Sequence, residues 1–372
     1  MSTFNVSIEE IRAIDPHPNA DRLSLASILG WQVCVKKDEF KVGDLVVYFP
    51  IDSILPADVE GCIFGENSKV KLTKGRIKTI KLRGAISQGM ATPPKLVGLS
   101  SIKLGQDVTK KLGVTKYEPA APSYQSGPKL SRMRDKPKEN PFFRKYGGLE
   151  NYKNYPDLFE EGELVSITEK VHGTHFRAGY VPYVANTLWR KIKKFLKLST
   201  PTHEFVFGSN TVQLQYQGEG HKTFYDNNVY AMMVNKYNLK EKLKPGEVVH
   251  GEIYGEGIQK GYNYGKKGTD FGLVLFDLRL QSSDSSEFIP VENFREFCLE
   301  RNLDCVPELY RGPFNREQAK VLTVGDSIFC SEQKVREGVV IRPVVEGKSY
   351  IGRKVLKIIS DDYLLGDQTD FH

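Results

Sequence analysis

The sequence predicts an α+β protein in two parts, a small β-barrel and then a larger domain of sheets flanked by helices. Three observations carry this. At 372 residues the chain is too long for one ordinary core and suits two domains. Residues 1 to 118 hold only short apolar stretches separated by turns. A stretch rich in Pro, Ser and charge, residues 119 to 140, then precedes a part in which strand-like and helix-like segments alternate.

In the first part, Leu45-Val46-Val47-Tyr48-Phe49 and Ile77 to Leu82 read as strands, with turns at Val42-Gly43-Asp44 and Lys74-Gly75-Arg76. Short, closely spaced strands punctuated by Gly and Pro suggest a small all-β barrel. Residues 119 to 140 have no hydrophobic period and read as a linker, either a solvated tether or a basic contact to a phosphate backbone. From 141 to 372, strand-like segments (Leu164 to Thr168, Glu204 to Phe207, Val248 to Ile253, Leu273 to Leu278, Gly338 to Arg342) alternate with helical Phe224 to Tyr237 and Val291 to Arg301. No internal repeat is visible. One segment stands apart: Leu188, Trp189, Ile192, Phe195 and Leu196 share a helical face, while Arg190, Lys191, Lys193, Lys194 and Lys197 crowd the rest. It reads as a docked surface helix or as a basic face for nucleic acid or a membrane.

Composition narrows the function. Hydrophobic content of 40% and charge of 27% are those of a soluble globular protein. No apolar run approaches the ~18 residues that span a bilayer. The opening MSTFNVSIEE lacks a signal peptide's layout, so an intracellular, cytoplasmic protein with no membrane partner is expected. Cys34, Cys62, Cys298, Cys305 and Cys330 are scattered, without CxxC spacing, and read as reduced thiols rather than a zinc site or disulfide frame. The net charge of +7 fits a polyanion partner or a solvated lysine-rich surface.

The chemistry centres on Glu169-Lys170-Val171-His172-Gly173-Thr174. A lysine attacks phosphorus only as the neutral amine, yet its free pKa is about 10.4. Such a site needs nearby positive charge or a metal. Gly173 lets the backbone come close to a ligand. Alone, a Lys-x-x-Gly pattern is weak. It gains weight from four segments further along the chain, in order: Gly251-Glu252, Phe276-Asp277, Glu337 to Arg342, and the cationic strand Arg353-Lys354-Val355-Leu356-Lys357. Together these supply a nucleophile, carboxylates for Mg²⁺ and sugar hydroxyls, an aromatic for a base, and cations for a triphosphate. Taken singly, Glu252 or Glu337 is a surface acid and Phe276 a core residue.

The ordered set resembles the covalent nucleotidyltransferases, the ATP-dependent ligases and mRNA capping enzymes. Lys170 to Gly173 matches motif I, Gly251-Glu252 motif III, Phe276-Asp277 motif IIIa, Glu337 to Arg342 motif IV and Lys357 motif V. Within that group the likeness is to the phage T4 type of double-strand RNA-repair ligase. Phe143-Arg144-Lys145-Tyr146-Gly147-Gly148-Leu149-Glu150-Asn151 resembles its opening, His172 gives the histidine form of motif I, and Gln259-Lys260 fits. Residues 1 to 118 are similar to the OB-type barrel of deinococcal-type RNA ligases, through Lys81-Leu82-Arg83-Gly84 and Ser87-Gln88-Gly89. Pro16-His17-Pro18-Asn19-Ala20-Asp21-Arg22-Leu23 resembles the OB-type tRNA-binding domains, or is a turn before a strand.

The resemblance implies an OB-type barrel (1–118), a linker (119–140) and an ATP-grasp-like nucleotidyltransferase domain of antiparallel sheets flanked by helices (141–372). The implied activity is ATP-dependent RNA ligation with Mg²⁺ or Mn²⁺. Lys170 would take AMP from ATP, with Lys357 neutralising charge. Glu169 would position the adenine edge through its backbone and Phe276 would stack on the ring. Glu252 would hold ribose or metal, and Glu337 metal or its waters. The partner would be RNA, as a nicked duplex or RNA–DNA hybrid, and the enzyme a monomer. In the barrel, Lys78, Lys81 and Arg83 would touch single strands. Lys191, Lys193, Lys194 and Lys197 would touch phosphates near the reacting ends.

Two positions depart from the pattern. Motif Ia usually carries an Arg; here Gly208-Ser209-Asn210 stands in its place, so Asn210 joins the nucleotide-binding residues. Motif V usually has a second Lys where this chain has Ile359, leaving Lys354 or Arg353 to supply the charge. The alternatives are a DNA ligase or capping-type enzyme, or a catalytically weak RNA-binding protein. The first two usually carry an OB domain after motif V, whereas 15 residues follow Lys357 here.

Overall fold

The computed structural model describes residues 3–65, 72–118, 139–185, 201–214 and 228–366. It forms two compact units that interleave in sequence. One gathers Met1–Ser123, Gly148–Glu160 and Leu356–His372; the other gathers Tyr124–Gly147 and Glu161–Val355.

The first unit is built on an antiparallel five-stranded sheet in the order Trp31–Lys36, Leu23–Ile28, Ser7–Pro16, Leu45–Phe49, Met90–Thr92. The long strand Ser7–Pro16 serves two neighbours. Its first half pairs with Leu45–Phe49 (Ile8 opposite Val47) and its second with Leu23–Ile28, with a bulge between Ile11 and Ala13. A bulge bends a strand and adds twist, which lets one strand serve both sides of a curled sheet. Both faces of Leu45–Phe49 are covered, Val47 and Phe49 in one apolar cluster, Val46 and Tyr48 in another. That is why this strand reads as an unbroken apolar run instead of an alternating one. The hairpin Thr79–Leu82 to Ala85–Gln88 turns on Arg83 and Gly84, at φ 49° and 90°. Positive φ at both central residues is the type I′ pattern that matches strand twist.

Residues 1–118 are not wholly strand: Ala57–Phe64 is a helix that buries Val59 against the first cluster. The Gly148–Glu160 segment meets the turn between Leu23–Ile28 and Trp31–Lys36. Gly30 donates to the Lys153 carbonyl at 2.7 Å, so tightly that a Cβ on Gly30 would stand 2.9 Å from Lys153 backbone. The Trp31 indole donates to Asn154 at 2.7 Å.

The second unit carries a six-stranded antiparallel sheet in the order Gln213–Leu214, His203–Gly208, Thr174–Pro182, Glu247–Tyr254, Gly272–Gln281, Ser286–Phe288. Side chains alternate across a strand. Phe176, Ala178, Val249, Ile253, Leu273 and Leu275 therefore turn one way, into a core shared with the helices Val229–Lys236 and Val291–Glu300. His175, Arg177, His250, Glu252, Asp277 and Arg279 occupy the opposite positions of the same strands. A second antiparallel set brings Glu308–Pro313 and Gly338–Pro343 to either side of Leu164–Lys170. The cationic stretch expected at 353–357 is two strand ends, Gly352–Arg353 and Leu356–Ile359, broken at Lys354-Val355. Among the described residues no helix is long and apolar enough to cross a membrane.

Candidate functional site

Lys170 ends the strand Leu164–Lys170, opposite Gly338, and Val171 to Gly173 then carry the chain into the six-stranded sheet at Thr174. This crossing places the lysine where two sheets meet. Its Nζ donates to Glu337 Oε2 at 2.8 Å, and His172 Nδ1 lies 3.4 Å from the same oxygen. The Lys170 side chain is 22% exposed and that of Glu337 is 8% exposed. Burial pulls the amine's pKa down, but the Glu337 and Glu252 carboxylates outweigh it and leave the value raised. Burial pushes Glu337 up, and the Lys170 and His172 charges overcome it to hold the group at about 2. Glu252 is pushed up to about 8 by burial and by Glu337, against the pull of Lys170 and the Gly173 N–H. The resting site thus holds an ionised Lys170–Glu337 pair beside a carboxyl that keeps its proton near neutrality.

The Val171–Gly173 loop has no secondary structure of its own and is tied at three points. The His172 N–H donates to the Tyr264 hydroxyl at 2.8 Å, and the Gly173 N–H to Glu252 Oε1 at 3.1 Å. The Gly173 carbonyl accepts from Gln259 at 2.8 Å. Gly173 is required by the chain itself: a Cβ there would stand 2.2 Å from the Ile253 carbonyl oxygen and 2.9 Å from Glu252 Cγ. The backbone at Gly173 thus approaches a neighbouring strand closely.

Glu169 is buried, and its carboxylate accepts from the Ser327 hydroxyl and from the N–H groups of Ile328 (2.8 Å) and Phe329 (3.1 Å). Its own N–H donates to Pro307 at 2.9 Å. Its side chain is therefore committed to the 327–329 turn. Phe276 is half-buried, edge-on to Tyr146 (5.3 Å) and His175 (5.4 Å). Its neighbour Asp277 is 1% exposed and collects Arg342, Arg353 and the Tyr146 hydroxyl.

The residues around the missing motif Ia arginine form a strap. Asn210 Oδ1 accepts the Tyr146 N–H at 2.8 Å. Buried Arg177 donates to the carbonyls of Ser209 (2.7 Å) and Phe143 (2.5 Å), and Arg279 to those of Arg144 and Lys145. Arg177 Nη2 has no partner among the described residues. Neither proposed substitute for the second motif V lysine is a free charge. Arg353 is bound by Asp277 and Glu346, and Lys354 donates to Glu163 at 2.7 Å.

The remaining expected residues stand on other elements. Lys357 belongs to the first unit, on a strand paired in parallel with Glu150–Asn151. Lys81 and Arg83 are exposed and Lys78 is half-buried beside or within the Thr79–Gln88 hairpin. His17 and Asn19 tie that hairpin down through the carbonyls of Leu82 (3.0 Å) and Arg83 (3.1 Å), which joins two stretches read separately in the sequence. Lys191, Lys193, Lys194 and Lys197 lie outside the described residues. Sequence reading missed Tyr264, Arg177 and the His175–His250 pair. Only the spacing of His175, two residues beyond Gly173, was there to be noticed.

Among the described residues no three His, Cys, Asp or Glu side chains gather as a metal cage. Glu252 and Glu337 still suit one hard divalent ion. Burial first, and then the Glu337 charge, raise Glu252, and Mg²⁺ commonly takes one or two carboxylates plus phosphate oxygens and water.

An OB-fold domain profile matches residues 5–94, and an RNA ligase profile matches residues 163–359, over half of the chain. Similar solved structures include a Naegleria gruberi RNA ligase variant with ATP and Mn, 25% identical, TM-score 0.72, covering 97% of this chain and 98% of that one. Another variant of it, with AMP and Mn, is 25% identical with TM-score 0.73 over 97% and 98%. The same ligase with PPi is 24% identical with TM-score 0.72 over 98% and 98%. No curated protein matches the chain.

Proposed function

Because the chain belongs to the RNA ligase family, with an OB-fold ahead of a sheet-rich ligase domain, we propose that it seals RNA ends with ATP through a covalent adenylate on Lys170. The observation that carries this is the Lys170 amine, 2.8 Å from Glu337 at the crossing of two sheets, with the Glu252 carboxyl acting electrostatically on both.

In the proposed first step Lys170 Nζ attacks the α-phosphorus of ATP. An N–P bond forms, the bond to pyrophosphate breaks, and the amine loses its proton. The AMP then moves to a 5′-phosphate end, and a 3′-hydroxyl displaces it to form the phosphodiester. Glu252 and Glu337 would hold a divalent ion, Mg²⁺ or Mn²⁺. When bound, that ion would offset their charge and that of the phosphates, so that Lys170 releases its proton more readily. Phe276 offers the ring for adenine. Glu169 holds the 327–329 turn and so anchors the residue before the nucleophile. Lys357 keeps the charge-neutralising role of the motif it matches. The barrel, with Lys78, Lys81 and Arg83, would grip nucleic acid, and the substrate would be a nicked RNA duplex or an RNA–DNA hybrid.

The test is labelling with [α-³²P]ATP and a divalent metal. Label should appear on the wild-type chain, be acid-labile and hydroxylamine-stable as a phosphoramidate must be, and vanish in Lys170→Ala. Label that persists in Lys170→Ala overturns the assignment. A panel of nicks with RNA or DNA on each side then fixes the substrate.

A further inference from the structure

Tyr264 is a bulky residue held at φ 50°, a left-handed conformation rare for such side chains. Its ring is buried, packed against Tyr254 (5.7 Å), Phe329 (5.6 Å) and Tyr262 (6.0 Å). Backbone outliers of this kind persist where surrounding structure over-determines them, and they cluster at functional sites. Here the conformation delivers one polar atom: the hydroxyl that accepts the His172 N–H at 2.8 Å.

That bond falls two residues after the nucleophile. On the other side of Lys170, Glu169 is fixed to the N–H of Phe329, whose ring packs on Tyr264. Lys170 is therefore held between two anchors that themselves touch. Of the three ties on the Val171–Gly173 loop, the one from Glu252 uses a carboxylate proposed to serve the metal as well. The Tyr264 tie has no such second duty. Burial first, and then the nearby Glu337 and Glu169 carboxylates, push its hydroxyl far above the ordinary tyrosine range, so it stays neutral across working pH.

We propose that Tyr264 is a positioning residue for lysine adenylation: its hydroxyl fixes the Val171–Gly173 loop and thereby the direction of the Lys170 amine. The proposal rests on Lys170 being the adenylated nucleophile. It separates the chemical steps, because Lys170 forms a bond to phosphorus in the first and none in the last. Tyr264→Phe keeps the ring and removes the hydroxyl that accepts the His172 N–H.

In single-turnover adenylation of the full chain, Tyr264→Phe should lower the maximal rate about tenfold, the size of one buried hydrogen bond left unmade. The ATP concentration for half-saturation should move less than about twofold. Joining of a pre-adenylated RNA strand should hold near the wild-type rate. 3-Fluorotyrosine at 264 keeps the hydroxyl but makes it a poorer acceptor, and should give an intermediate adenylation rate. Wild-type adenylation in both variants overturns the proposal. So does a parallel fall in adenylation and joining, the mark of a merely structural role. Failure of the underlying lysine assignment looks different: label would then be absent from the wild type or persist in Lys170→Ala.

Discussion

Asp277→Asn removes one charge and almost no volume, and the structure sets how much that should matter. The carboxylate is 1% exposed and lies between Arg342 Nη1 at 3.3 Å and Arg353, whose own side chains are 6% and 19% exposed. Arg353 retains Glu346, but no other carboxylate pairs with Arg342 among the described residues. Breaking a buried ion pair from one side leaves an uncompensated buried charge and costs about 3–5 kcal/mol. At roughly 2–4 °C per kcal/mol for a unit of this size, the melting temperature should fall by about 6–20 °C. The Tyr146 hydroxyl, 2.9 Å from Asp277, and Phe276 beside it lie on the same group, so the half-saturating ATP concentration should rise as well. A double-mutant cycle sharpens the test. Arg342→Met should destabilise the wild type far more than it destabilises Asp277→Asn, because the arginine has already lost its counter-charge there. A melting shift under about 2 °C, or additive losses in the cycle, would refute the reasoning.

Three further outcomes are expected. Gly173→Ala should abolish adenylation and lower stability, since the added methyl would sit 2.2 Å from the Ile253 carbonyl; a variant that labels normally would show that the loop is not fixed by that approach. His250 is fully buried and its pKa lies well below the ordinary value, by burial and by the His175, Arg279, Arg177 and Arg353 charges. The unfolded chain thus binds a proton there that the folded chain refuses, so stability present above pH ~6.5 is lost on acidification by up to about 1.4 kcal/mol per pH unit, and His250→Phe should flatten that slope. Replacing Lys78, Lys81 and Arg83 together by Gln should flatten the salt dependence of RNA binding by up to about 2–3 log units per log unit while sparing self-adenylation; an unchanged slope removes the barrel hairpin from the interface.

Element types were legible because they depend on neighbours in sequence. The runs at Leu45–Phe49, Val248–Ile253 and Leu273–Leu278 and the spacing over Val291–Arg301 appear as strands and a helix at nearly those bounds. The helix Ala57–Phe64 escaped because ADVEGCIF is short and its single buried residue, Val59, sets no period.

The sequence by itself determined a barrel, a sheet-rich ligase domain, and Lys170, Glu252, Phe276 and Glu337 as one ordered set of residue types. Only the tertiary structure decided which groups answer which. It put the Lys170 amine on Glu337 across 167 residues and gave Gly173 a neighbouring strand as its close partner. It turned Asn210 and the buried Arg177 to holding the 143–146 strap, and brought a tyrosine 92 residues away onto the loop after the nucleophile. The physical reason is that backbone propensity and apolar period act over a few residues, and so can be read along the chain. A desolvated charge or an orphaned N–H is satisfied by whatever the fold brings alongside, and that partner leaves no mark in the local sequence.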